Sequence, residues 1–571
     1  MAHINLISVA EPKDSKGRIT RFPFALPIIL RGMEKTKHTW DILDTHLHKY
    51  SFEDLLKRTE TKSMDSKIFG ISGWSHNYLQ IKHLTKIIRA RYSDAIIIVG
   101  GIIGGNYNEV LSNTETDIVA TGADGEYILP ELLDHLDNNE DILNVSGIAF
   151  KDHKSQEILQ TNYRPTMSDN EFQLVKWPAY KYFEEQIFEL VEFLNTFDDV
   201  PVKGFPLLTS RGCPYACTYC GHLYGSKFLR QTWDNWFDHV EHLINHYNVP
   251  GFYNHDTNMF LKEDEVDEYC KQYAERNHNF EIVIEIRPTF GGYEMYKKLY
   301  KHGITVSTFG FESGSEEILK KMKRPMQQMK ETKDRLKQCM DSDMRVFGNF
   351  VCGTPGESKK TLNETRKFMI QIRKWSIEQK IRLEKKNQMG TSGFGWTIFL
   401  PSPPSELYDY AIRDKVIGNE EDYLISLSGK ENMKVLKGSK QKIALAQIAN
   451  HNANMSEFTS KQALENYVRF TLNMAWAQGN FYDFKYFITH VIETGRYFIT
   501  ASFWLIKYYF TLFKDILMKK KGYTYNPTVS GHYLQKKEKV ITKRGITKET
   551  GVETIDRLFE KQTKKSADVT L

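Results

Sequence analysis

Short apolar runs alternate with longer amphipathic stretches over the first 135 residues. Five of the runs are short enough to be strands, and they cover residues 4–10, 39–44, 67–72, 95–101 and 117–122. The stretches between them repeat apolar residues at every third and fourth position, which is typical of helices that pack one face on a sheet. This alternation predicts an α/β fold: a doubly wound domain, flavodoxin-like or Rossmann-like, with a parallel sheet.

Ligands of doubly wound sheets bind in the loops outside the carboxyl ends of the strands. Here those loops are residues 72–75, 100–105 and 121–126, and their small side chains let the backbone approach a large ligand closely. A dinucleotide is less favoured, because its glycines belong after the first strand and these follow the fourth. A domain that binds nothing stays open. The candidate binding residues are Ser72, Gly73, Gly100, Gly101, Gly104, Gly125 and Glu126.

The rest of the chain divides by its pattern into four further segments. Residues 146–205 contain a possible hairpin and irregular sequence, so we expect them to connect two domains. Six strand-like runs alternate with helical patterns over residues 206–415, which fits a partial (β/α)6 barrel of the TIM type. Residues 416–533 are helical and rich in aromatic side chains, and the polar tail 534–571 is expected to be disordered. The first domain then covers residues 1–145.

One aromatic segment, residues 481–518, needs testing as a membrane span. A span requires about 20 predominantly apolar residues, whereas Arg496, Lys507 and Lys514 interrupt this one. A lysine in the middle of a span costs about 2.5–3.5 kcal/mol on an insertion scale. We therefore expect a helix packed inside the protein, with peripheral contact to a membrane surface or to an apolar substrate as the alternative.

The composition is that of a globular protein in a reducing compartment. The chain has 571 residues, 40% of them hydrophobic, which is enough for several packed domains. Its net charge of +5 comes from 77 basic and 72 acidic residues, so charge gives no indication of a nucleic acid partner. The six cysteines do not form the regular framework of a small secreted domain, and the N-terminus lacks the pattern of a secretory leader. These features predict a cytoplasmic protein.

Three of the cysteines, Cys213, Cys217 and Cys220, lie within eight positions in SRGCPYACTYC. Thiolates are the usual ligands of iron-sulfur clusters, and an ordinary cluster uses four of them. Three thiolates leave one iron open, where a small molecule can bind and receive an electron. Zinc is less favoured, since it usually takes four protein ligands and no second Cys or His pair lies at a fitting distance. The other cysteines, Cys270, Cys339 and Cys352, are expected to be buried thiols.

The motif CxxxCxxC and the strands that follow it resemble the radical S-adenosylmethionine superfamily. The further segments that carry this resemblance are GFYNHDTNMF, EIRPTF, FGFESGSEEILKKMKRPM, VCGTPGES and FLPSPPSELYDYA, within roughly residues 207–411. The last segment departs from the family's pattern, because Pro404 replaces a glycine. The resemblance implies that S-adenosylmethionine binds the open iron of a 4Fe-4S cluster and is cleaved to a 5'-deoxyadenosyl radical. The residues that it implies at the S-adenosylmethionine site are Tyr219, Asp256, Arg287, Glu312 and Ser313.

The N-terminal domain is similar to the cobalamin-binding domain that precedes the barrel in one class of this superfamily. The matching segments are IFGISGW, IIIVGGIIGG and DIVATGADGEYILPELL. Asp44 and His46 partly match the DxHxxG sequence by which some of these domains supply a histidine to cobalt, but Lys49 occupies the glycine position. We therefore expect His46 to be a surface histidine rather than a cobalt ligand.

The two resemblances together imply a two-cofactor enzyme. One S-adenosylmethionine would methylate cobalamin, and a second would give the radical that activates a substrate carbon for methyl transfer. A radical rearrangement, cyclisation or oxidation with the same cofactors is the alternative. Methylthio transfer to RNA would need a second cluster, yet residues 1–212 contain no cysteine, and a non-enzymatic cobalamin sensor would not need the three clustered cysteines. The implied partners are an electron donor of the flavodoxin or ferredoxin type and a small-molecule, lipid or peptide substrate.

Overall fold

The structure, a computed structural model, describes most of the first 428 residues. The described residues are 1–9, 22–44, 67–152, 155–175, 177–195, 204–221, 224–386, 392–428, 455–458, 462 and 466. The predictions for His46, for the aromatic segment 481–518 and for the tail 534–571 fall outside these residues, as does most of the predicted helical region 416–533.

The described residues divide into two compact units. The first unit comprises Met1–Thr308 and Ser402–Tyr408, together with residues 427–428. The second unit comprises Phe309–Pro401 and Asp409–Ser426, together with the short described pieces that follow residue 454.

The first unit begins with seven strands: β1 (His3–Ser8), β2 (Thr39–Asp44), β3 (Ile68–Ser72), β4 (Ile96–Gly100), β5 (Ile118–Ala120), β6 (Ile148–Lys151) and β7 (Ile158–Gln160). They form one sheet in the order β2-β1-β3-β4-β5-β6-β7. The first five pair in parallel, in the 2-1-3-4-5 order of flavodoxin-like doubly wound domains. The five predicted strands are confirmed, each to within two residues at either end.

The burial of this sheet explains the apolar runs in its sequence. Within the described residues, four helices belong to it: α1 (Ala25–Met33), α2 (Tyr78–Arg91), α3 (Tyr107–Asn113) and α4 (Gly125–Asn138). The middle residues of β4 are all buried, although successive side chains of a strand point to opposite faces. The sheet is therefore covered on both sides, as parallel sheets usually are.

The predicted hairpin after residue 145 forms and is continuous with this sheet. Strand β6 pairs antiparallel with β5, and β7 pairs antiparallel with β6. Ile148 and Ala149 are fully buried, so the hairpin shares the core of the N-terminal sheet. Two helices follow, α5 (Asp169–Leu174) and α6 (Glu184–Asn195).

The next strands are β8 (Phe205–Leu207), β9 (Ser210–Gly212), β10 (Phe228–Arg230), β11 (Gly251–Asn254), β12 (Glu281–Glu285), β13 (Ile304–Glu312), β14 (Arg345–Cys352) and β15 (Gly393–Ile398). Six of them form one sheet in the order β15-β14-β13-β12-β11-β8, whereas β9 and β10 form a separate antiparallel hairpin. Strands β8, β11, β12 and β13 pair in parallel, and so do β14 and β15. The six predicted strands of the partial barrel are therefore confirmed.

The helices of this part are α7 (Trp233–Tyr247), α8 (Glu263–Glu275), α9 (Tyr293–Lys301), α10 (Glu316–Met322), α11 (Met329–Asp341), α12 (Lys359–Lys385), α13 (Glu406–Arg413) and α14 (Glu420–Leu427). They alternate with the strands, as a (β/α) barrel requires. Within the described part of the chain, no helix has both the length and the apolar character needed to cross a membrane.

Candidate active site

The three clustered cysteines lie on the loop between β9 and β10, residues 213–227, which we call the cysteine loop. Gly212 leads the chain into this loop with φ +77°, and a Cβ there would overlap the carbonyl oxygen of Lys227. Glycine alone suits both this backbone conformation and this space. Cys213 is buried, Cys217 is partly buried and Cys220 is exposed, so the accessibility of the thiols increases along the loop.

The segment after β11 contacts the start of the cysteine loop. Thr257 Oγ1 donates to the Gly212 carbonyl (2.8 Å), and Asn258 Nδ2 donates to Cys213 Sγ (3.5 Å). An N–H donor beside a sulfur ligand stabilises the thiolate and tunes the metal group that it holds. Sequence reasoning missed Asn258, although it lies in the GFYNHDTNMF segment that carried the resemblance.

The three thiols do not form a single-ion site. Among the described residues, no group of three His, Cys, Asp or Glu side chains is arranged to hold one metal ion, as zinc would require. A cluster has no such requirement, because each thiolate binds its own iron. The remaining cysteines are buried, as predicted: Cys270, Cys339 and Cys352.

The carboxylate of Asp256 is buried and bonded within the protein. Its Oδ1 accepts from the backbone N–H groups of Thr209 and Ser210, both at 2.8 Å, and its Oδ2 accepts from Thr209 Oγ1 at 2.5 Å. Burial raises the pKa of Asp256, and these donors oppose the rise. The contacts hold the chain that enters β9, so they support a positioning role, and the predicted contact with S-adenosylmethionine stays a prediction.

Arg287, just past the end of β12, reaches the cysteine loop. Its guanidinium carbon lies 4.2 Å from the ring centroid of Tyr215, between Cys213 and Cys217, in a cation–π contact. Burial raises the pKa of the Tyr215 hydroxyl, and the guanidinium opposes the rise. Arg287 is thus beside the predicted cluster ligands. Tyr219 lies partly buried further along the same loop.

Glu285 is the last residue of β12 and lies two residues before Arg287 in the sequence. Burial, together with the nearby Asp256 carboxylate, raises the pKa of Glu285 to about 7. Its carboxyl therefore changes charge near neutral pH, which is typical of groups at functional sites. Sequence reasoning did not single out Glu285, and its signal was an acid inside the apolar run FEIVIEIR.

The second unit holds the remaining predicted residues, Glu312 and Ser313, at the end of β13. Glu312 adopts φ +56°, and Lys323 Nζ contacts its Oε1 at 3.0 Å in a buried ion pair. The hydroxyls of Ser313 and Thr365 lie 3.0 Å apart. In the same unit, burial raises the pKa of Glu357 to about 7. The polar side chains at the carboxyl end of β13 are therefore held in place by partners within the second unit.

The loops at the carboxyl ends of β3 and β4 pack directly against one another. The Gly73 N–H donates to the Gly100 carbonyl at 3.1 Å. Gly101 adopts φ +90°, and a Cβ there would lie 2.6 Å from the Gly73 carbonyl oxygen. A Cβ on Gly104 would overlap the carbonyl oxygen of Ala120. Packing between loops therefore requires glycine at both positions, and the predicted contact of Gly101 and Gly104 with a ligand stays a prediction.

Trp74 follows Ser72 and Gly73 in the loop after β3, and 56% of its surface is exposed. Its indole stacks on His76, with ring centroids 6.0 Å apart. In doubly wound domains with this strand order, ligands bind where the order reverses, between β1 and β3. An exposed indole at this point offers an apolar face to a planar ligand. Sequence reasoning listed the small residues of this loop and missed Trp74.

Residues Ser402–Tyr408, which we call the bridging segment, contact the loop 100–105, which we call the glycine loop. A Cβ added to Gly105 would lie 3.1 Å from Pro404 Cδ. Asn106 Nδ2, directly after this loop, donates to the Tyr408 hydroxyl at 3.1 Å. Pro404 is the residue that departs from the family's pattern, and its ring packs on a glycine of the N-terminal sheet.

The bridging segment also contacts the cysteine loop. The Leu407 N–H donates to the Thr218 carbonyl at 2.9 Å. A Cβ on Gly221, next to Cys220, would lie 2.8 Å from the Pro404 carbonyl oxygen. The same residues thus touch the glycine loop on one side and the cysteine loop on the other, within the first unit. The two predicted cofactor sites are neighbours.

The third predicted contact loop of the N-terminal sheet is used in a buried ion pair. Glu126, at the start of α4, pairs with Arg211 in β9, and the preceding Asp124 pairs with the same guanidinium at 3.2 Å. Gly125 lies between these two acids, and a Cβ there would meet only Ile29 in ordinary contact. The carboxylate of Glu126 is therefore engaged by Arg211, and the predicted ligand contact of Gly125 and Glu126 stays a prediction.

Comparison with known proteins decides the class of this site. Residues 207–369 match the Radical SAM superfamily. The matched range contains the cysteine loop, Asp256, Arg287 and Glu312. Residues 207–369 therefore form a radical S-adenosylmethionine domain. An enzyme with this domain holds a 4Fe-4S cluster and S-adenosylmethionine, needs a reductant and acts on a substrate that it binds beside them.

This radical S-adenosylmethionine enzyme is related to cobalamin-dependent methyltransferases of the same superfamily. A cytidylyl-2-hydroxyethylphosphonate methyltransferase from Streptomyces wedmorensis is 24% identical over 382 residues, which cover 59% of this chain and 71% of the relative. The structure of the methyltransferase TsrM from Kitasatospora setae, with cobalamin and a 4Fe-4S cluster bound, has a TM-score of 0.54 at 15% identity, over 72% of this chain and 76% of that one.

A further solved structure extends the likeness over most of the chain. OxsB, a cobalamin-dependent S-adenosylmethionine radical enzyme with aqua-cobalamin and S-adenosylmethionine bound, has a TM-score of 0.60 at 12% identity, over 94% of this chain and 83% of that one. At sequence identities this low, the similarity shows a shared fold alone. The predicted fold, a doubly wound domain followed by a radical S-adenosylmethionine barrel, is therefore confirmed as that of cobalamin-dependent radical enzymes.

Proposed function

We propose that this enzyme uses cobalamin beside its cluster and transfers a methyl group from S-adenosylmethionine to an unactivated carbon or another poorly reactive centre of its substrate. The observation that carries the proposal is the bridging segment, which contacts both the glycine loop and the cysteine loop in one unit. Two cofactors that act in sequence must lie close together, and this packing meets that condition. The names of the methyltransferase relatives point to the same reaction.

Cys213, Cys217 and Cys220 are the ligands that we assign to the cluster. The donor set fits, since the three thiols share one loop and Asn258 donates to the sulfur of Cys213. When bound, the cluster supplies the electron that cleaves the sulfonium of S-adenosylmethionine, and cobalamin supplies the carrier for its methyl group.

The S-adenosylmethionine site is proposed to lie along the barrel strands that end near the cluster. Arg287 provides a fixed cation for the carboxylate of S-adenosylmethionine, because its stacking on Tyr215 holds the guanidinium at the cysteine loop. Asp256 orients the chain that enters this loop. The further residues of the proposed site are Tyr219, Glu312 and Ser313.

Cobalamin is proposed to bind at the carboxyl edge of the N-terminal sheet. The glycines there allow the loops to lie flat against one another, and the exposed indole of Trp74 offers a planar apolar face beside them. The carboxylate of Glu126 also pairs with Arg211. The proposed contacts are Ser72, Gly73, Gly100, Gly101, Gly104, Gly125 and Glu126.

We further propose that residues 1–145 form the cobalamin domain and residues 206–415 the radical barrel. Residues 146–205 join them, and their hairpin, β6 and β7, extends the sheet of the cobalamin domain. The electron donor is proposed to be a flavodoxin or ferredoxin, and the substrate a small molecule, a lipid or a peptide. None of the six cysteines is in a disulfide, which supports a reducing, cytoplasmic location.

Labelled S-adenosylmethionine tests the methyl transfer. The protein is reconstituted under anaerobic conditions with iron, sulfide and hydroxocobalamin, and is then incubated with a cell extract, a reductant and S-adenosylmethionine carrying a trideuterated methyl group. We expect mass spectrometry to find a product that has gained the labelled methyl. The Cys217→Ala protein, prepared in the same way, serves as the control and should form neither this product nor 5'-deoxyadenosine.

A radical rearrangement, cyclisation or oxidation is the second candidate function. The structural similarity to OxsB supports this second candidate, because OxsB is named a radical enzyme and not a methyltransferase. The same incubation separates the two candidates. Formation of 5'-deoxyadenosine together with a changed but unlabelled product would refute methyl transfer and establish the second candidate.

A further inference from the structure

Arg211 occupies a buried position two residues before the first cluster cysteine. Its guanidinium pairs with Asp124, Nη1 to Oδ1 at 3.2 Å, and with Glu126 through Nη2. The exposed fractions of the three side chains are 9%, 2% and 4%. Arg211 also lies over the ring of Phe172, with 5.5 Å between its Cζ and the ring centroid. Almost the whole guanidinium is enclosed by protein groups.

The network around Arg211 also includes the hydroxyl of Tyr224. The Tyr224 hydroxyl donates to Asp124 and accepts from Arg211 Nη1 at 2.9 Å. Both acids lie at the N-terminal end of α4, where the helix dipole stabilises negative charge. The guanidinium thus faces two carboxylates, and arginine keeps its charge in folded proteins. A lysine has no planar fork with which to reach two carboxylates at once.

These contacts connect the N-terminal sheet to both ends of the cysteine loop. Asp124 and Glu126 end the loop that leaves β5 at the carboxyl edge of the sheet. Arg211 stands before the cysteine loop in β9, whereas Tyr224 lies within it, just ahead of β10. Asp124 Oδ2 also accepts from the Met167 N–H at 2.8 Å. One buried network therefore clamps both ends of the cysteine loop to the edge of the doubly wound sheet.

We propose that Arg211 is a positioning residue that fixes the cysteine loop against the carboxyl edge of the N-terminal sheet, and so sets the separation and orientation of the two cofactors. This inference rests on the proposed function, because that function places a cofactor on each side of the network. Reacting groups lose much of their rate advantage when they are displaced by about 1 Å. The network supplies rigidity at the point where such a displacement would arise.

Two variants and one matched control test the positioning role. Arg211→Lys keeps the charge but loses the fork, and Tyr224→Phe removes a single hydroxyl from the same network. The control Arg89→Lys alters an arginine of helix α2, which pairs with Asp117 at 2.8 and 2.7 Å. That pair lies at the opposite edge, where β4 and β5 begin.

Amide hydrogen exchange of the cofactor-free full chain gives the first measurement. We expect Arg211→Lys to speed exchange several-fold both in residues 121–126 and in residues 210–212. Tyr224→Phe should have a smaller effect in the same two places, and Arg89→Lys should change neither. Faster exchange over the entire chain in both network variants would mean general destabilisation and would overturn the positioning role, and so would unchanged exchange in the two loops.

Electron paramagnetic resonance gives the second measurement, on protein loaded with cluster and hydroxocobalamin. In samples reduced partway, the reduced cluster and cob(II)alamin coexist, and their dipolar coupling reports the distance between them. We expect a narrow distance distribution in the unaltered protein and in Arg89→Lys, and a broad one in Arg211→Lys. Equal distributions in all three would overturn the inference. If the unaltered protein binds no cobalamin, the proposed function fails, while the exchange measurement still tests the clamp.

Discussion

The hydrogen bond from Asn258 to Cys213 provides a test of the cluster site at the scale of one residue. Asn258→Ala removes the N–H donor that stabilises negative charge on the sulfur. Because the reduced cluster carries one more negative charge than the oxidised one, its reduction potential should fall, by on the order of tens of millivolts. A redox titration of the reconstituted protein, followed by electron paramagnetic resonance, measures this shift.

Asn235→Ala is the matched control for that titration. The Asn235 amide bonds the Gln173 side chain at 3.1 Å, on α7, and contributes nothing to the cysteine loop. We expect its cluster to keep the potential of the unaltered protein. An unchanged potential in Asn258→Ala would contradict the assignment of Cys213 as a cluster ligand.

Glu285 makes the stability of the protein depend on pH. Burial and the Asp256 carboxylate raise its pKa from 4.5 to about 7. As the pH rises above 4.5, the unfolded chain releases this proton before the folded protein does, so stability falls up to about pH 7 and then stays lower. The difference corresponds to at most about 3 kcal/mol. Glu285→Gln removes the titration, so its melting temperature should exceed that of the unaltered protein at about pH 8 and match it at about pH 5.

Thermal unfolding of the cofactor-free protein at the two pH values measures this effect. Glu275→Gln changes an exposed acid at the end of α8 and is expected to leave both melting temperatures unchanged. An advantage of Glu285→Gln that is equal at both pH values would show that Glu285 is ionised in the folded protein throughout, contrary to its raised pKa.

The carboxylates show what a sequence can predict about single residues. Asp256 and Glu126 follow strands in loops where ligands bind, and that position made them candidates. In the structure, the Asp256 carboxylate accepts a hydrogen bond from Thr209, and the Glu126 carboxylate pairs with Arg211. Arg211 is 85 residues from Glu126 in the sequence, and no local pattern reports such a pairing. The cysteines were predictable because the cluster imposes a local spacing on them.

At the scale of elements, long apolar periodicities predicted the fold well. Strands β1 to β5 were predicted because each is a short apolar run, and the helical segments between them repeat apolar residues at every third and fourth position. The hairpin of β9 and β10 was not predicted, since each strand has three residues and a loop of fifteen positions separates them. The cysteine loop owes its place to tertiary contacts with Asn258 and with the bridging segment, and a local pattern does not contain these.

The bridging segment can be tested through the two glycines that it touches. Gly221→Ala would set a Cβ 2.8 Å from the backbone oxygen of Pro404, whereas Gly105→Ala would set one 3.1 Å from the proline ring. Distances this short force one partner to move. We expect Gly221→Ala to lose much of its iron on reconstitution, because the displacement falls next to Cys220, and Gly105→Ala to retain iron but to bind cobalamin several-fold more weakly.

Iron and sulfide analysis and a spectrophotometric cobalamin titration measure the two effects separately. Each variant is thus the control for the other, as both add one methyl group beside the same proline. If both variants had the same iron content and the same cobalamin affinity, the bridging segment would move to accommodate the added methyl groups and would not hold the loops together.

At the scale of the whole molecule, the first unit carries two sites built from different elements. The loops after β3 and β4 form the carboxyl edge of the N-terminal sheet, and their contacts with one another do not involve the cysteines. The cysteine loop is held by Gly212, Thr257 and Asn258. The bridging segment and the Arg211 network orient the sites but supply neither set of ligands. Each cofactor should therefore bind without the other.

This independence predicts opposite losses in two variants. Cys217→Ala removes a thiolate, so it should form no 4Fe-4S cluster, yet it should bind hydroxocobalamin with the affinity of the unaltered protein. Trp74→Ala removes the exposed indole at the carboxyl edge of the sheet. Its cobalamin affinity should fall by roughly 3- to 10-fold, because an aromatic contact contributes about 1 kcal/mol to binding. Its iron content should equal that of the unaltered protein. Tyr163→Ala, which alters another exposed aromatic residue of the first unit, should match the unaltered protein in both assays. If cobalamin binding is lost in Cys217→Ala, the cluster itself completes the cobalamin site, and the two sites form a single cooperative centre.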